Sequence, residues 1–171
     1  MRCYLDSSAI LKLVLDEPQA VDLAATLALF RASDATFITS ALSEVEVARA
    51  LRRAVADGRL SPTDLQAGWE TALSGVAVMD LTSDVRNEAK IVGDDRLRSL
   101  DAIHLAAAHM AEADIVFTYD ERMIQACMDA GVMTARPGLA GVALPPGWEW
   151  FGGDDGVSDD WPDDAGLPPG W

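Results

Sequence analysis

Short apolar runs alternate with amphipathic stretches along this chain. Runs of apolar, β-branched or aromatic residues bounded by turn signals occur at Cys3–Leu5, Thr36–Thr39, Val76–Leu81, Ile115–Thr118 and Val132–Ala135, and each reads as a strand. Helical spacing fills the intervals. One helix follows Asp6 to about Leu15 and a second covers Val21–Phe30. A third follows Ser43, with Val45, Val47, Ala48 and Leu51 on one side and Arg49, Arg52 and Arg53 elsewhere. Ser61 and Pro62 are the cap and first turn of a helix running to about Leu73. Further helices fit Val85–Val92, Leu100–Ala113 and Glu121–Ala130, the last closed by Gly131. Strands alternating with helices predict an α/β fold, a mostly parallel sheet covered on both faces. Such sheets bind ligands beyond the carboxyl ends of their strands, where strand order switches. Asp6 follows the first strand and Asp120 follows the "IVFTYD" strand. If those strands are neighbours, their carboxylates converge.

Composition narrows the class. A length of 171 residues, half of them hydrophobic, suits one domain with a real core plus a tail. No run of about 18 uncharged apolar residues exists, so no membrane span is expected. Asp6 and Lys12 interrupt the N-terminal apolar stretch, which argues against a signal peptide. Cys3 and Cys127 form no metal-type pair, and the absence of a cysteine framework suits a reducing cytoplasm. The net charge of −15 argues at first against a nucleic-acid partner. Its distribution changes that picture. All 13 Lys and Arg lie before residue 141, whereas Gly141 onward carries seven acids and no base. The body therefore holds 13 bases against 21 acids, a formal −8. A concentrated acidic metal site accounts for part of that excess, and surface acids would too. The segment from Gly141 is rich in Gly, Pro and Asp, repeats LPPGW at 144–148 and 167–171, and holds four of the five tryptophans. It is expected to be a disordered acidic tail, spanning 138–171 after a domain of residues 1–137.

Four carboxylates carry the chemistry, and each has a bland explanation. Asp6 suits a helix cap as well as a site. Ser43-x-x-Glu46 matches a capping box, with Glu44 as the solvent-facing competitor. Asp101 sits in the first turn of a helix that Ser99 would cap, where an acid complements the dipole. The stretch after it, Ala102 to Ala108, is apolar nearly all round, so that helix is buried and its acidic start faces a cleft. A carboxylate there needs a cation or a proton. Asp120 can cap the last helix, with Thr118 bonding locally. Jointly the four are harder to dismiss, because like charges raise one another's pKa unless a cation neutralises them. Only oxygens are on offer, so the fitting ion is hard, Mg²⁺ or Mn²⁺ rather than Zn²⁺. His104 and His109 stand five apart, a poor spacing for sharing a metal, and His104 is expected to be a partly buried, hydrogen-bonded residue. There is no Gly-rich phosphate loop and no G-x-S-x-G elbow. Phosphate affinity would come from the metal and from Arg49, Arg52, Arg53, Arg96 and Arg98, which otherwise form a solvated face.

The stretches "YLDSSAILKL", "SALSEVEVARALRR", "LRSLDAIHLAAA" and "VFTYDERM" resemble, in order and spacing, the acidic motifs of PIN-domain ribonucleases, and among these the VapC-type toxins of bacterial toxin–antitoxin pairs. The resemblance spans about residues 1 to 137. It implies a PIN-like parallel sheet of about five strands flanked by helices on both faces. It also implies that Asp6, Glu46, Asp101 and Asp120 form an acidic quartet, Glu46 being chosen because it falls three residues after Ser43. By the same resemblance Asp6 and Asp101 bind the metal directly, and Glu46 and Asp120 do so directly or through water. Ser8 and Thr118 would orient carboxylates or phosphate. The implied activity is Mg²⁺-dependent hydrolysis of RNA phosphodiester bonds, with Mn²⁺ substituting, by a cytoplasmic homodimer that a cognate antitoxin silences. Two other readings compete. A PIN-like module that has lost catalysis would serve as a binding or regulatory partner, but the intact quartet argues against it. A dehalogenase-type phosphatase needs Asp-x-Asp, and this chain has Asp6-Ser7-Ser8.

Overall fold

The computed structural model describes residues 1–94 and 97–139. The chain runs β1 (Arg2–Leu5), α1 (Ser7–Val14), α2 (Ala20–Ala32), β2 (Thr36–Ser40), α3 (Ala41–Ala56), α4 (Pro62–Ala72) and β3 (Ala77–Met79). It continues α5 (Ser83–Glu88), α6 (Ser99–Met110), β4 (Ile115–Phe117), α7 (Glu121–Asp129) and β5 (Met133–Ala135).

Strand pleating decides what each face of the sheet covers. Cys3 and Leu5 of β1 point to one side and pack with Phe37, Ile115 and Phe117 against Ile10, Leu23, Leu27, Phe30 and Leu51 of α1, α2 and α3. Tyr4 and Val116 point to the other side, against Val85, Leu105, Met123 and Cys127 of α5, α6 and α7. Both faces are therefore covered, as a parallel sheet requires. The five strands are all parallel in the order β3-β2-β1-β4-β5. The expected α/β sheet is present, and β1 and β4 are neighbours, with Leu5 opposite Phe117. Strand order reverses between them. The crevice beyond their carboxyl ends is thus the switch point of the sheet.

Several boundaries differ from the sequence reading, for local reasons. Helix α3 begins three residues earlier than expected: Ser40 is its cap, accepting from the Leu42 N–H at 3.2 Å, and Ser43 is buried inside it. Its buried stripe runs through Ser43, Val47, Leu51 and Ala54, which leaves Val45 56% exposed on the far side. Helix α6 starts at Ser99 itself, with Arg98 in the cap position and no side-chain cap bond. Helix α5 starts at Ser83, two residues before the expected Val85, because the Thr82 hydroxyl accepts from the Val85 N–H. Strand β3 is an edge strand of three residues, shorter than the apolar run containing it. Ser61 caps α4 and Gly131, at φ 71°, follows α7, both as expected. Arg96 and the tail from residue 140 lie outside the described residues. Among the described residues, no helix is long and apolar enough to cross a membrane.

Candidate active site

Asp6 is the residue after β1, held at the switch point by its own N–H, which donates to the Phe117 carbonyl at 3.0 Å. It caps α1, and it does more. Oδ1 accepts from the Ser7 N–H at 2.7 Å, while Oδ2 accepts from the Ser8 hydroxyl at 2.7 Å and the Thr118 hydroxyl at 2.8 Å. Ser8 in turn accepts from the Tyr119 N–H at 2.9 Å and Thr118 from the Asp120 N–H at 3.2 Å. The two hydroxyls named from the sequence therefore lace the ends of β1 and β4 together around one carboxylate oxygen.

Asp120 caps α7, its Oδ1 accepting from the N–H groups of Arg122 at 2.8 Å and Met123 at 3.2 Å. Asp101 lies in the first turn of α6, and its Oδ2 is buried with no hydrogen-bond partner among the described residues. Burial raises its pKa, and the charges of Asp120 and then Asp6 raise it further, while Arg98 and His104 pull it partly back. Three carboxylates from three separate elements thus share one electrostatic environment.

Glu46 joins from α3 by a route the capping box does not describe. With Ser40 rather than Ser43 as the cap, Glu46 lies beyond the first turn, and its Oε2 accepts from His104 Nε2 at 2.8 Å and from the Ser7 hydroxyl. Burial would raise its pKa, but the bonds from His104 and Ser7 and the charge of His104 outweigh that and lower it. His104 is 3% exposed, and its Nε2 is also 3.7 Å from Asp6 Oδ1. Burial lowers its pKa, yet the Glu46 bond and the charges of Asp6, Glu46 and Asp101 win and raise it. Nδ1 lies 2.8 Å from the Tyr4 hydroxyl. His104 is buried and hydrogen-bonded, as expected, but its partner is a site carboxylate.

Sequence reasoning missed Ser7, Ser43 and Tyr4. The Ser7 hydroxyl is 3.2 Å from that of Ser43, which is 2.6 Å from that of Thr39. One signal was available: Ser43 and Glu46, like Asp101 and His104, are three apart and share a helix face. Glu44 is half-buried. Arg49, Arg52 and Arg53 are exposed on α3, and Arg98 is exposed at the start of α6.

Among the described residues, no three His, Cys, Asp or Glu side chains stand close enough to enclose an ion. The fit to Mg²⁺ or Mn²⁺ is one of donor type and charge: an all-oxygen set of acids, one of which buries an unpaired oxygen among like charges.

The family model for the PIN domain matches residues 3–127. This chain belongs to the PIN-domain family. Ribonuclease VapC47 of Mycobacterium tuberculosis (strain CDC 1551 / Oshkosh) is 34% identical over 137 residues, covering 79% of this chain and 96% of the relative. Ribonuclease VapC46 of Mycobacterium tuberculosis (strain ATCC 25618 / H37Rv) is 35% identical over 136 residues, covering 78% and 96%. Within the PIN-domain family the chain therefore groups with VapC proteins. The crystal structure of Mycobacterium tuberculosis VapC20, a sarcin-ricin loop cleaving toxin, matches with a TM-score of 0.59 at 20% identity, covering 79% of this chain and 99% of that one. VapBC2 from Rickettsia felis, solved with a fragment of promoter DNA, gives 0.59 at 14% identity, covering 79% and 98%. At those identities the structural matches speak for the PIN fold alone.

Proposed function

We propose that this PIN-domain protein is a metal-dependent endoribonuclease, hydrolysing RNA phosphodiester bonds as the toxin of a toxin–antitoxin pair. One observation carries the metal-dependent part: the buried, unpaired Oδ2 of Asp101, set among the charges of Asp6 and Asp120 at the switch point of the sheet. That arrangement is unfavourable for the bare protein and suits one that binds a hard cation. Kinship with VapC ribonucleases supports RNA as substrate, and the likeness to VapBC2 supports a cognate antitoxin as partner.

Asp6 and Asp101 hold Mg²⁺, with Mn²⁺ able to substitute, and Asp120 and Glu46 assist directly or through water. Once bound, the ion supplies an acidified water and neutralises charge on the phosphate. Ser8 and Thr118 keep Asp6 from rotating. Arg49, Arg52, Arg53 and Arg98, with Arg96, receive the RNA backbone. The working form is a homodimer in the cytoplasm.

The test is cleavage of a mixed cellular RNA pool by purified full-length protein in Mg²⁺, Mn²⁺ or EDTA, beside folded Asp6→Asn and Asp101→Asn proteins. Metal-dependent cutting that both substitutions abolish is expected. Cutting that survives EDTA, or survives both substitutions, would overturn the proposal. Folded protein that binds metal and cuts nothing would favour the binding-module reading.

A further inference from the structure

We propose that Tyr4 and His104 are positioning residues that present Glu46 to the metal cleft, an inference that rests on the metal site proposed above. Glu46 is the one acid of the quartet that does not sit at a strand end or in the first turn of a helix, so its carboxylate must be brought to the cleft and held there. His104 is placed to do this. It lies on the same face of α6 as Asp101, three residues on, and its Nε2 stands between two acids, 2.8 Å from Glu46 Oε2 and 3.7 Å from Asp6 Oδ1.

The Tyr4 hydroxyl fixes which nitrogen carries the proton. The phenol lies 2.8 Å from Nδ1 and can donate to that nitrogen of a neutral imidazole. The neutral tautomer so selected has its proton on Nε2, and the imidazolium has one there too. In either form an N–H points at Glu46. The Ser7 hydroxyl donates to the same carboxylate oxygen. Both donors fall on Oε2, and Oε1 takes no hydrogen bond from the described residues in a side chain 28% exposed. The division is informative: one oxygen is anchored to the body of the protein and the other is free to meet an ion or its water. A histidine that merely completed the core would have no need of a site carboxylate as partner. Partners of this kind, one bond removed from a metal ligand, set ligand orientation and basicity.

The experiment is Mn²⁺ titration of RNA-free, full-length protein followed by electron paramagnetic resonance, with folding of each variant checked by thermal melting. The variants are Tyr4→Phe, His104→Gln, His104→Leu, Glu46→Gln and the double variant Glu46→Gln/His104→Leu. His104→Leu is expected to weaken Mn²⁺ binding about 10- to 100-fold. His104→Gln, which keeps an N–H near the place of Nε2, recovers part of that loss, and Tyr4→Phe shows a smaller loss. The double variant should bind Mn²⁺ no worse than Glu46→Gln alone, because His104 acts through Glu46. Losses that multiply in the double variant would overturn the inference. So would wild-type affinity in both Tyr4→Phe and His104→Gln, which keeps the test decisive even if His104→Leu does not fold. If wild-type protein binds Mn²⁺ and the His104 variants bind it equally well, this inference alone is lost. If wild-type protein binds no Mn²⁺, the metal site and this inference fall together.

Discussion

Asp101→Asn should stabilise the metal-free protein while removing its response to metal. The substitution keeps the shape of the side chain and deletes its charge. Two effects work against the wild-type carboxylate: Oδ2 is buried without a partner, and Asp120 and Asp6 repel it. An Asn amide leaves a polar atom just as unpaired in that place, so the substitution relieves only the burial of charge and the repulsion. Two effects work for the carboxylate. Its place in the first turn of α6 is worth about 0.3–1 kcal/mol through the helix dipole. Arg98 attracts it, but Arg98 is exposed and its pull is screened. The raised pKa of Asp101 gives the sign: the charged form is the disfavoured one, so neutralisation should gain on the order of 1 kcal/mol or less, a rise in melting temperature of roughly 2–5 °C for a domain of this size. The assay is differential scanning fluorimetry in EDTA and across a Mg²⁺ titration. At a hundred times its dissociation constant, Mg²⁺ should stabilise the wild type by about 2.7 kcal/mol and the variant far less, so the order of melting reverses. A variant that melts below the wild type in EDTA would refute the reasoning, because the carboxylate would then be stabilised by the protein alone. Equal stabilisation of both proteins by Mg²⁺ would refute it from the other side.

Other consequences are open to measurement. Replacing the exposed Arg49, Arg52 and Arg53 together by Glu should weaken RNA binding, seen as a raised KM with kcat nearly unchanged, and reduce the slope of log K against log salt by about 2–3; an unchanged slope would remove α3 from the RNA path. In EDTA, stability should fall on the alkaline side of pH 6.5. The raised pKa of His104 means that its contribution is complete below the unfolded value of 6.5 and is lost as pH rises through the higher folded one. Asp101, also raised, has the same sign at lower pH, whereas the lowered pKa of Glu46 gives stability that is lost as pH falls below 4.5. A melting temperature in EDTA that is flat from pH 6 to 9, or falls as steeply in His104→Gln, would count against that assignment. Leu105→Ala, at a fully buried position beneath the sheet, should cost about 2–5 kcal/mol by chemical denaturation. A cost under about 1 kcal/mol would mean that α6 is not seated as described.

How much of this was legible in the sequence depends on how local the cause is. The central strands announce themselves because both faces are buried: Ile115, Val116 and Phe117 of β4 form a continuous apolar run with no polar interruption. Asp6, Asp101 and Asp120 were legible because a strand end or a helix start is a position the chain itself marks. For Glu46 the capping-box explanation fails, because Ser40 and not Ser43 is the cap. Ser40 and Ser43 are three apart, so the local pattern offers two helix starts and a plausible capping box for one of them. What decides is tertiary, since the partners of Glu46 are Ser7 and His104, 39 and 58 residues away in sequence. The "DSS" tract shows the same limit. Its two serines look equivalent, and only packing gives Ser8 to Asp6 and Ser7 to Glu46.

The bland and the functional explanations of these acids turn out not to be rivals, because a carboxylate has two oxygens. Asp120 caps α7 with Oδ1 and leaves Oδ2 without a hydrogen bond among the described residues. Glu46 anchors Oε2 and leaves Oε1. Asp6 caps α1 with Oδ1 and is fixed by two hydroxyls through Oδ2, which orients the group closest to the switch point. Of the four, Asp101 alone buries an oxygen that no described residue satisfies. Caps and anchoring bonds keep three of the acids in place when no cation is present, so the cost of assembling like charges falls mainly on the fourth. That cost is the difference in free energy that a bound ion would relieve, and it explains why the position least comfortable in the bare fold is the one most informative about what the fold is for.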